Sequence, residues 1–393
     1  MAYLDHAATT PVRPEARDAM LPWLGDRTGN PSGAHRLARD ARRAIDDARD
    51  TFAELTGFAP GDVVFTAGGT EADNLAVLGV LDASGLPAAT AVCPASEHHA
   101  VLEAVEHRHG RVARVRADGQ VDLDHLAELL DDTVALVSVM TVNNETGVIA
   151  DLHAVLDLVD ERAPRALVHT DAVQALTWLD LPAATTAPSG RSVDLLSLSA
   201  HKFGGPQGVG ILAVRAGTSL APRVLGGGQE RGRRSGTQNV AGIVGAAAAA
   251  RVAGATRPDT VARLGALRDR LADGLHAAID GLVETAVDPS TRDRRGKIAG
   301  SCHVCIPGVE AEALLVLLED REVFASAASS CASGAQDPSH VLAAMGVPRS
   351  VAAGSLRLSL GWSTTDADID VALDAVPAAV ERLRSFAPQA TST

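Results

Sequence analysis

Short apolar segments alternate with helical patterns through the first two thirds of the chain. These segments lie at 63–65, 91–93, 136–140, 166–169 and 194–198. Because a strand that is buried on both faces carries apolar residues at successive positions, the alternation predicts an α/β fold with a mostly parallel sheet between helices. Ligands of such a sheet bind at the carboxyl ends of its strands. The polar residues found there are Thr70, Asn144, Asp171 and those at 199–202.

A second pattern begins near residue 260, beyond an alanine-rich helical stretch. A polar, locally basic stretch at 288–300 predicts a surface loop. The elements predicted around it are helices at 240–250, 260–279, 310–318 and the C-terminal end, and strands at 301–306 and 356–360. The expected parts are an N-terminal segment, 1–13, that packs with the small domain, a large domain, 14–260, and a small α/β domain, 261–393.

Composition and charge narrow the class of protein. Of the 393 residues, 35 are Lys or Arg and 49 are Asp or Glu, which gives a formal net charge of −14. Because nucleic-acid backbones attract clustered positive charge, direct nucleic-acid binding is not expected. The sequence contains neither an apolar run of about 20 residues that could span a bilayer nor a basic and apolar secretory signal at its start. We therefore expect a cytoplasmic protein with no membrane partner.

Lys202 carries the sharpest chemical signal. It follows an apolar segment within the motif Ser-Leu-Ser-Ala-His-Lys-Phe-Gly-Gly-Pro at 197–206. A lysine just beyond a buried strand is partly desolvated, and its amine suits a Schiff base with pyridoxal phosphate (PLP). The flanking hydroxyl and imidazole groups are suited to hold a phosphate. The alternative is a solvated loop lysine, since most lysines are exposed.

Two further motifs fit the same cofactor. Glycines at 68 and 69 precede Thr70 at a predicted helix start, where free backbone N–H groups bind anions. The alternative there is a helix cap in which Thr70 and Asp73 form a capping box. Asp171 ends a predicted strand, and its carboxylate can pair with a protonated pyridine nitrogen. Asp171 could equally cap a helix.

Two polar motifs remain ambiguous on residue chemistry alone. His98 lies in Ser-Glu-His-His-Ala at 96–100, and a ring stacked on a cofactor competes there with a polar loop histidine. Adjacent side chains of an extended segment point to opposite faces, so two neighbouring histidines rarely bind one metal ion, and no metal is expected. The arginine-rich motif at 231–239 is suited to anions, although it has no aromatic residue for base stacking.

Four cysteines are too few for a disulfide framework and predict reduced thiols. Cys302 and Cys305 have the spacing of half a zinc knuckle, but no second Cys/His pair follows, so we expect them to be structural. Cys93 lies in an apolar strand and is predicted to fill the core. Cys331 differs, because it lies in a segment of small residues without apolar periodicity, where a thiol is poised for reactivity.

Taken in this order, the motifs resemble those of the PLP-dependent cysteine desulfurases of the NifS/IscS type, within the class V aminotransferase family. The resemblance begins at 3–11, continues through 29–32 and the segments above, and ends at 354–361, so it covers essentially the whole chain. It implies the PLP-dependent transferase fold of type I. That fold has a large domain with a mostly parallel sheet and a smaller α/β C-terminal domain.

The resemblance also implies roles for individual residues. Lys202 would form the Schiff base and move protons, His98 would stack on the ring, and Cys331, in a loop at about 325–338, would take the sulfur. Asn144 and Arg357 would grip the substrate carboxylate. The cofactor-binding residues would be Gly69, Thr70, Ser199 and His201 at the phosphate, Asp171 at the pyridinium, Gln174 at the ring hydroxyl, Lys202 at the aldehyde carbon, and Thr237 at the phosphate of the other subunit's cofactor. A homodimer is thereby implied.

The implied reaction converts L-cysteine to L-alanine and leaves a persulfide on Cys331 for a protein sulfur acceptor or scaffold. One alternative is a selenocysteine lyase or another class V aminotransferase or lyase. An alternative of a different class is a sulfur-relay platform in which catalysis is secondary. Iron–sulfur scaffolds, tRNA thiolation and DNA phosphorothioate modification remain open as destinations of the sulfur. Ala328 stands where long-loop members carry glycine, a change expected to stiffen the loop.

Overall fold

Strands and helices alternate along most of the chain, and the computed structural model describes them over residues 1–86, 88–327 and 339–386. The strands are β1 (Ala2–Tyr3), β2 (Val63–Thr66), β3 (Thr90–Pro94), β4 (Arg111–Ala113), β5 (Val134–Ser138), β6 (Leu167–Asp171), β7 (Leu195–Ser199), β8 (Gly210–Val214), β9 (Val283–Glu284), β10 (Ser301–Cys305), β11 (Val323–Phe324) and β12 (Ser355–Ser359).

These strands form three sheets, and helices cover both faces of the largest one. The α-helices in the same ranges are α1 (Pro14–Leu24), α2 (Arg36–Thr56), α3 (Gly69–Ala83), α4 (His99–His107), α5 (Leu123–Leu129), α6 (Leu152–Arg162), α7 (Leu181–Ala184), α8 (Val240–Ala255), α9 (Arg257–Ala278), α10 (Ala311–Glu319), α11 (His340–Ala344), α12 (Arg349–Ala352) and α13 (Asp366–Phe386). Short 3₁₀ turns lie at Pro60–Asp62, Ala200–Lys202 and Glu230–Gly232.

The large sheet has the spatial order β2-β8-β7-β6-β5-β3-β4. Strands β4, β3, β5, β6 and β7 run parallel, whereas β8 is antiparallel to both of its neighbours. Every residue of β5 and β7 is buried, which explains their nearly continuous apolar sequence. Successive residues serve opposite faces: Leu136 packs with α3 and α4, and Val137 packs with the core beneath α2, α6 and α8. The predicted parallel sheet between helices is confirmed.

A smaller antiparallel sheet, in the order β12-β10-β9, forms a second layer with its own core. Helices α9, α10 and α13 contribute Leu271, Leu314 and Val376 to this core. Strands β10 and β12 confirm the strands predicted at 301–306 and 356–360. The division of the chain into parts at residues 13 and 260 stays a prediction, and residue 260 itself lies inside α9.

The first thirteen residues contact both sheets. β1 pairs with β11, and Leu4 is buried in the core of the small sheet. Further along, the N–H of Thr10 donates to the oxygen of His201 at 2.9 Å, and the N–H of Arg13 donates to the oxygen of Gly204 at 2.8 Å. This segment therefore runs from the small sheet to the turn that follows β7 of the large one.

A buried ion pair anchors the loop that precedes α8. Glu230 accepts from the Arg49 guanidinium of α2 through both carboxylate oxygens, at 2.8 and 2.6 Å. One of these oxygens also accepts the N–H of Phe65 at 3.0 Å. Glu230 and Arg231 have φ angles of 49° and 58°, a left-handed conformation that is unfavourable for residues other than glycine. The pair holds this strained turn against β2.

Replacement of the cation tests the anchor. Arg49→Met leaves Glu230 buried without its charge partner, so we expect the free energy of unfolding to fall by about 3 kcal/mol. Arg49→Met/Glu230→Gln should recover more than half of the loss, because a neutral amide still accepts from Phe65. Urea unfolding followed by circular dichroism measures both. Arg116→Met, which breaks a pair whose partners are both more than half exposed, is the control and should cost less than about 1 kcal/mol. A loss for Arg49→Met no larger than for the control would contradict the anchor.

Candidate active site

One cleft of about 310 Å³ opens at the carboxyl ends of β6 and β7. It lies beside the first turn of α3 and the start of α4, and Arg357 of β12 closes it from the small sheet. Ten of the residues singled out from the sequence line it: Gly69, Thr70, His98, Asn144, Asp171, Gln174, Ser199, His201, Lys202 and Arg357. The parallel strands thus bring together residues that are up to 288 positions apart in the chain (69 to 357).

Lys202 is half-buried at the end of the 3₁₀ turn that follows β7. Its Nζ donates to the main-chain oxygens of Ala7 and Ala8, at 2.6 and 2.9 Å. Gln174 donates from Nε2 to the same oxygen of Ala7 at 2.9 Å. The lysine is therefore held in the cleft by the N-terminal segment, in contrast to the solvated loop lysine that the motif alone allowed.

The glycine turn before α3 forms one corner of the cleft. α3 begins at Gly69, and its N-cap is Gly68, which has no side chain to cap the helix. The alternative of a capping box at Thr70 and Asp73 is therefore wrong, because Thr70 lies inside the first turn and Asp73 points into the core, 1% exposed. The first N–H groups of a helix lack partners within it, so this corner offers backbone donors to an anion.

Ser199 and His201 complete this corner from the end of β7. With Gly69 and Thr70 they line both the cleft and a neighbouring open groove. Burial, reinforced by the charge of Lys202, lowers the pKa of His201 to about 4. The ring is therefore neutral near pH 7 and offers one N–H and one acceptor nitrogen.

Asp171 is the last residue of β6 and is buried in the floor of the cleft. Its Oδ1 accepts the N–H of Val173 at 2.8 Å, so it caps a tight turn and not a helix. Burial raises the pKa of this carboxyl group, while His98 and Lys202 lower it. A buried carboxyl group at the base of the cleft is suited to a ligand that brings its own positive charge, because an opposite charge nearby favours the ionised form.

His98 is the N-cap of α4 and half-buried at the cleft. Its Nδ1 accepts the N–H of Ala100 at 3.1 Å, so the neutral ring carries its proton on Nε2. Burial lowers the pKa of His98, and the neighbouring Asp171 raises it. His98 faces the same cleft as Asp171 and Lys202.

Arg357 reaches the cleft from the small sheet, with its side chain 5% exposed. Its guanidinium donates to the main-chain oxygen of Asn144 at 3.0 Å and to Oδ1 of Asp5 at 2.9 Å. Its Nε is buried and has no hydrogen-bond partner among the described residues. Sequence reasoning missed Asp5 as the residue that orients Arg357, although it lies in the N-terminal motif that carries the family resemblance.

One predicted site residue that the structure describes, Thr237, is not part of this cleft. Thr237 is exposed and lies outside it, and Cys331 lies outside the described residues. Arg234, in the same loop as Thr237, is paired with Glu71 at 2.8 Å. One arginine of the motif at 231–239 therefore forms an ion pair within the chain.

The remaining thiols, Cys93, Cys302 and Cys305, are buried and free. Burial raises the pKa of Cys302 to about 12 and also raises those of the other two. Cys302 packs in the core of the small sheet, whereas Cys305 packs against Leu342 on the opposite face. The two thiols therefore lie on opposite faces of β10 and do not face a common metal site, in agreement with the alternation of side chains along a strand.

Glu145 adds a contact that the sequence did not indicate. It follows Asn144, is 4% exposed, and accepts a short hydrogen bond from the hydroxyl of Ser339. Ser339 is the first described residue after 327 and the N-cap of α11. Burial raises the pKa of Glu145 to about 7, although Ser339 and the charge of Arg357 oppose the shift.

Comparisons with known proteins agree with this geometry. The family model described as aminotransferase class-V matches residues 2–372. The chain is 44% identical to the "IscS-like cysteine desulfurase" of Mycobacterium tuberculosis (strain ATCC 25618 / H37Rv) over 399 residues, which covers 98% of both chains. A solved "NIFS-LIKE PROTEIN" matches with a TM-score of 0.87 at 32% identity, over 97% of this chain and 100% of that one.

A structure described as "SspA in complex with cysteine" matches with a TM-score of 0.77 at 28% identity, over 93% of this chain and 100% of that one. The chain belongs to the class V aminotransferase family, and the predicted fold class and the resemblance to NifS/IscS-type cysteine desulfurases are confirmed. Over the described ranges, no helix is both long enough and apolar enough to span a membrane.

The raised pKa of Glu145 makes a prediction for stability. A folded-state pKa of about 7 lies above that of an unfolded glutamate, so the folded chain keeps a proton that the unfolded chain loses. The resulting stability is present at low pH and disappears as the pH rises through 7. The free energy of unfolding of Glu145→Gln, measured relative to that of wild type, should therefore rise by about 2 kcal/mol from pH 5 to pH 8.

Urea unfolding at the two pH values measures this difference. Gln at 145 still accepts from Ser339, so the contact itself is kept. Glu54→Gln, at an exposed position of α2, is the control and should behave alike at both pH values. A constant difference between Glu145→Gln and wild type would show that Glu145 is already ionised at pH 5.

Proposed function

We propose that the chain is a PLP-dependent cysteine desulfurase that converts L-cysteine to L-alanine and carries the sulfur as a persulfide on Cys331. The observation that carries the proposal is the convergence of three unlike groups on one cleft. An amine (Lys202), a buried carboxyl group (Asp171) and an anion-binding corner (Gly69 and Thr70) line it together. Membership of the class V aminotransferase family supports the same chemistry.

The donor set of the cleft fits PLP. The corner at Gly69 and Ser199 suits the phosphate, because the first N–H groups of α3 lack partners within the helix and a Cβ at Gly69 would crowd Val173 and Ser199, at 3.0 and 3.3 Å. Asp171 suits a protonated ring nitrogen, and Gln174, which donates to the oxygen of Ala7, would meet the ring hydroxyl. Lys202 suits the aldehyde carbon.

When bound, PLP supplies an electron sink for the negative charge that develops at the substrate Cα. Lys202 is the base that we assign to the Cα proton. In the resting chain its Nζ donates to the oxygens of Ala7 and Ala8. Release from these two acceptors and loss of one proton give Nζ the lone pair that proton transfer needs.

Arg357 and Asn144 are assigned to the substrate carboxylate. The guanidinium is already oriented by Asp5 and by the oxygen of Asn144, while its Nε has no partner among the described residues. A carboxylate that accepts from Nε and from a neighbouring guanidinium N–H would gain a two-point contact that fixes the plane of the substrate. His98, which carries its proton on Nε2, would donate to the substrate sulfur.

The sulfur transfer balances without an external oxidant. The thiolate of Cys331 attacks the sulfur of the substrate, so an S–S bond forms while the substrate Cβ–S bond breaks. The bonding electrons stay with the substrate and are protonated at Cβ, which gives alanine. In sum, cysteine and the Cys331 thiol become alanine and a Cys331 persulfide. A protein acceptor or scaffold would then take the terminal sulfur.

The working unit that we propose is a cytoplasmic homodimer. Thr237 is exposed and outside the cleft of its own chain, which suits a residue that contacts the cofactor of a second copy. The three described thiols are free, as expected in a reducing compartment.

Cysteine turnover tests the sulfur step. Wild-type protein loaded with PLP should be yellow, should form alanine from L-cysteine, and should gain about 32 Da on Cys331, the mass of one sulfur atom. Cys331→Ser should keep the colour but lose alanine formation by about 100-fold, because the nucleophile is gone. Cys302→Ala is the control and should retain activity. Alanine formed by Cys331→Ser at the wild-type rate would exclude Cys331 as the acceptor.

Mixed dimers test the position of Thr237. Lys202→Ala and Thr237→Glu should each be inactive as homodimers, the first without its amine and the second with a carboxylate against the cofactor phosphate. If Thr237 serves the partner's site, a heterodimer of the two holds one intact site and should regain about half of the wild-type activity. Differently tagged chains, co-expressed and purified in tandem, provide the heterodimer. If Thr237 served its own chain, both sites would be defective and activity would stay absent.

A further inference from the structure

A second carboxyl group, that of Asp73, lies beneath the floor of the cleft. Asp73 is on α3, is 1% exposed, and lines the cleft beside Asp171. Polar side-chain atoms of Asp73, Asp171 and His98 all lie within 4.8 Å of one another. Two acidic side chains at this separation in a dry interior cannot both carry a charge without a cation between them.

The described surroundings of Asp73 supply no such cation. His169 Nε2 lies 3.7 Å from Oδ1 of Asp73, but burial lowers the pKa of His169 to about 3, so this ring is neutral. Glu97, fully buried at the start of α4, adds a third acidic group and no positive charge. The pKa of Asp73 is raised by burial first and by the charge of Asp171 second.

Ser197 and His169 lie beside the carboxyl group of Asp73. Ser197 of β7 contacts its carboxyl group and also lies 3.0 Å from Nε2 of His169. The other nitrogen of His169 lies 2.8 Å from the hydroxyl of Ser138. Oδ1 of Asp73 is buried and has no hydrogen-bond partner among the described residues.

We propose that Asp73 is a neutral carboxylic acid that positions Asp171 by donating a hydrogen bond to its carboxylate. The proposal rests on the proposed function for its purpose: a donor on the far side of Asp171 keeps that residue anionic and oriented toward the ring nitrogen of PLP. One oxygen of Asp171 is already held by the N–H of Val173. The bond from Asp73 would fix the carboxylate from a second direction, so the side chain could not rotate away from the ring.

The titratable groups that face this pair come from four elements. His169 and Asp171 belong to β6, Asp73 belongs to α3, and Glu97 and His98 lie at the start of α4. Lys202 faces Asp171 from the turn after β7. The charges of His98 and Lys202 favour the ionised form of Asp171, whereas those of Asp171 and Glu97 favour the neutral form of Asp73, so Asp73 is the member of the pair that keeps a proton.

Two substitutions separate a neutral donor from an anion. The amide of Asp73→Asn still donates and carries no charge, so the PLP dissociation constant should stay within about threefold of wild type. Asp73→Ala removes the donor and should weaken PLP binding by about tenfold to 100-fold. The pH midpoint of the visible absorbance band should move by less than about 0.3 unit in the first variant and rise by about one unit in the second.

Infrared spectra of the cofactor-free full chain test the protonation state directly. The spectrum of wild type minus that of Asp73→Asn should contain the carbonyl stretch of a neutral carboxylic acid at about pH 6 and about pH 9, because the bands of Glu97 and Glu145 cancel in the difference. Glu145→Gln is the matched control. It removes a carboxyl group whose pKa is about 7, so it should remove an acid band at about pH 6 and none at about pH 9. This measurement does not depend on PLP.

Three results would overturn the proposal. The first is a midpoint shift in Asp73→Asn as large as in Asp73→Ala, which would indicate a charge at Asp73. The second is wild-type behaviour of a folded Asp73→Ala. The third is the absence of the acid band from the difference between the infrared spectra of wild type and Asp73→Asn. Failure of the wild-type chain to take up PLP would instead refute the proposed function, while the infrared result would still decide the state of Asp73. If Asp73→Ala does not fold, Asp73→Asn and the spectra decide alone.

Discussion

Residues 5–13 hold the two halves of the candidate site at a fixed separation. Arg357 belongs to the small sheet and Lys202 follows a strand of the large one, yet both must reach the same small molecule. Asp5 pairs with the guanidinium, and the oxygens of Ala7 and Ala8 accept from the amine. Because catalytic groups must be held within a fraction of an ångström of their working geometry, a segment that touches both halves constrains the whole site.

Desolvation then decides which groups in this region carry charge. Burial lowers the pKa values of His169 and His201 to about 3 and about 4, so these rings act as neutral hydrogen-bonding groups near pH 7. Burial also raises the pKa of Glu97. The two rings therefore add no charge near Asp171, and the burial of Asp171 would strengthen an ion pair that it formed with a cationic ligand.

The parts of the site that follow from local sequence were predictable, and those that depend on tertiary contacts were not. Lys202 and Asp171 follow apolar strands, so the rule for parallel sheets places them together. The spacing of Thr70 and Asp73 also allows a capping box, but the N-cap is Gly68, two residues before Thr70, and Asp73 is buried. No local pattern links Glu145 to Ser339, 194 residues apart.

The oxygen of Ala7 accepts hydrogen bonds from both Lys202 and Gln174. Every amino acid supplies the same main-chain oxygen, so side-chain substitution at this position leaves the acceptor in place. An alanine scan would therefore pass over one of the groups that hold the lysine. The position of this oxygen depends on the backbone conformation and not on the side chain. The residue at position 7 can therefore vary without loss of the acceptor as long as the backbone conformation is kept. Replacement of the amide by an ester through chemical synthesis would weaken the acceptor itself.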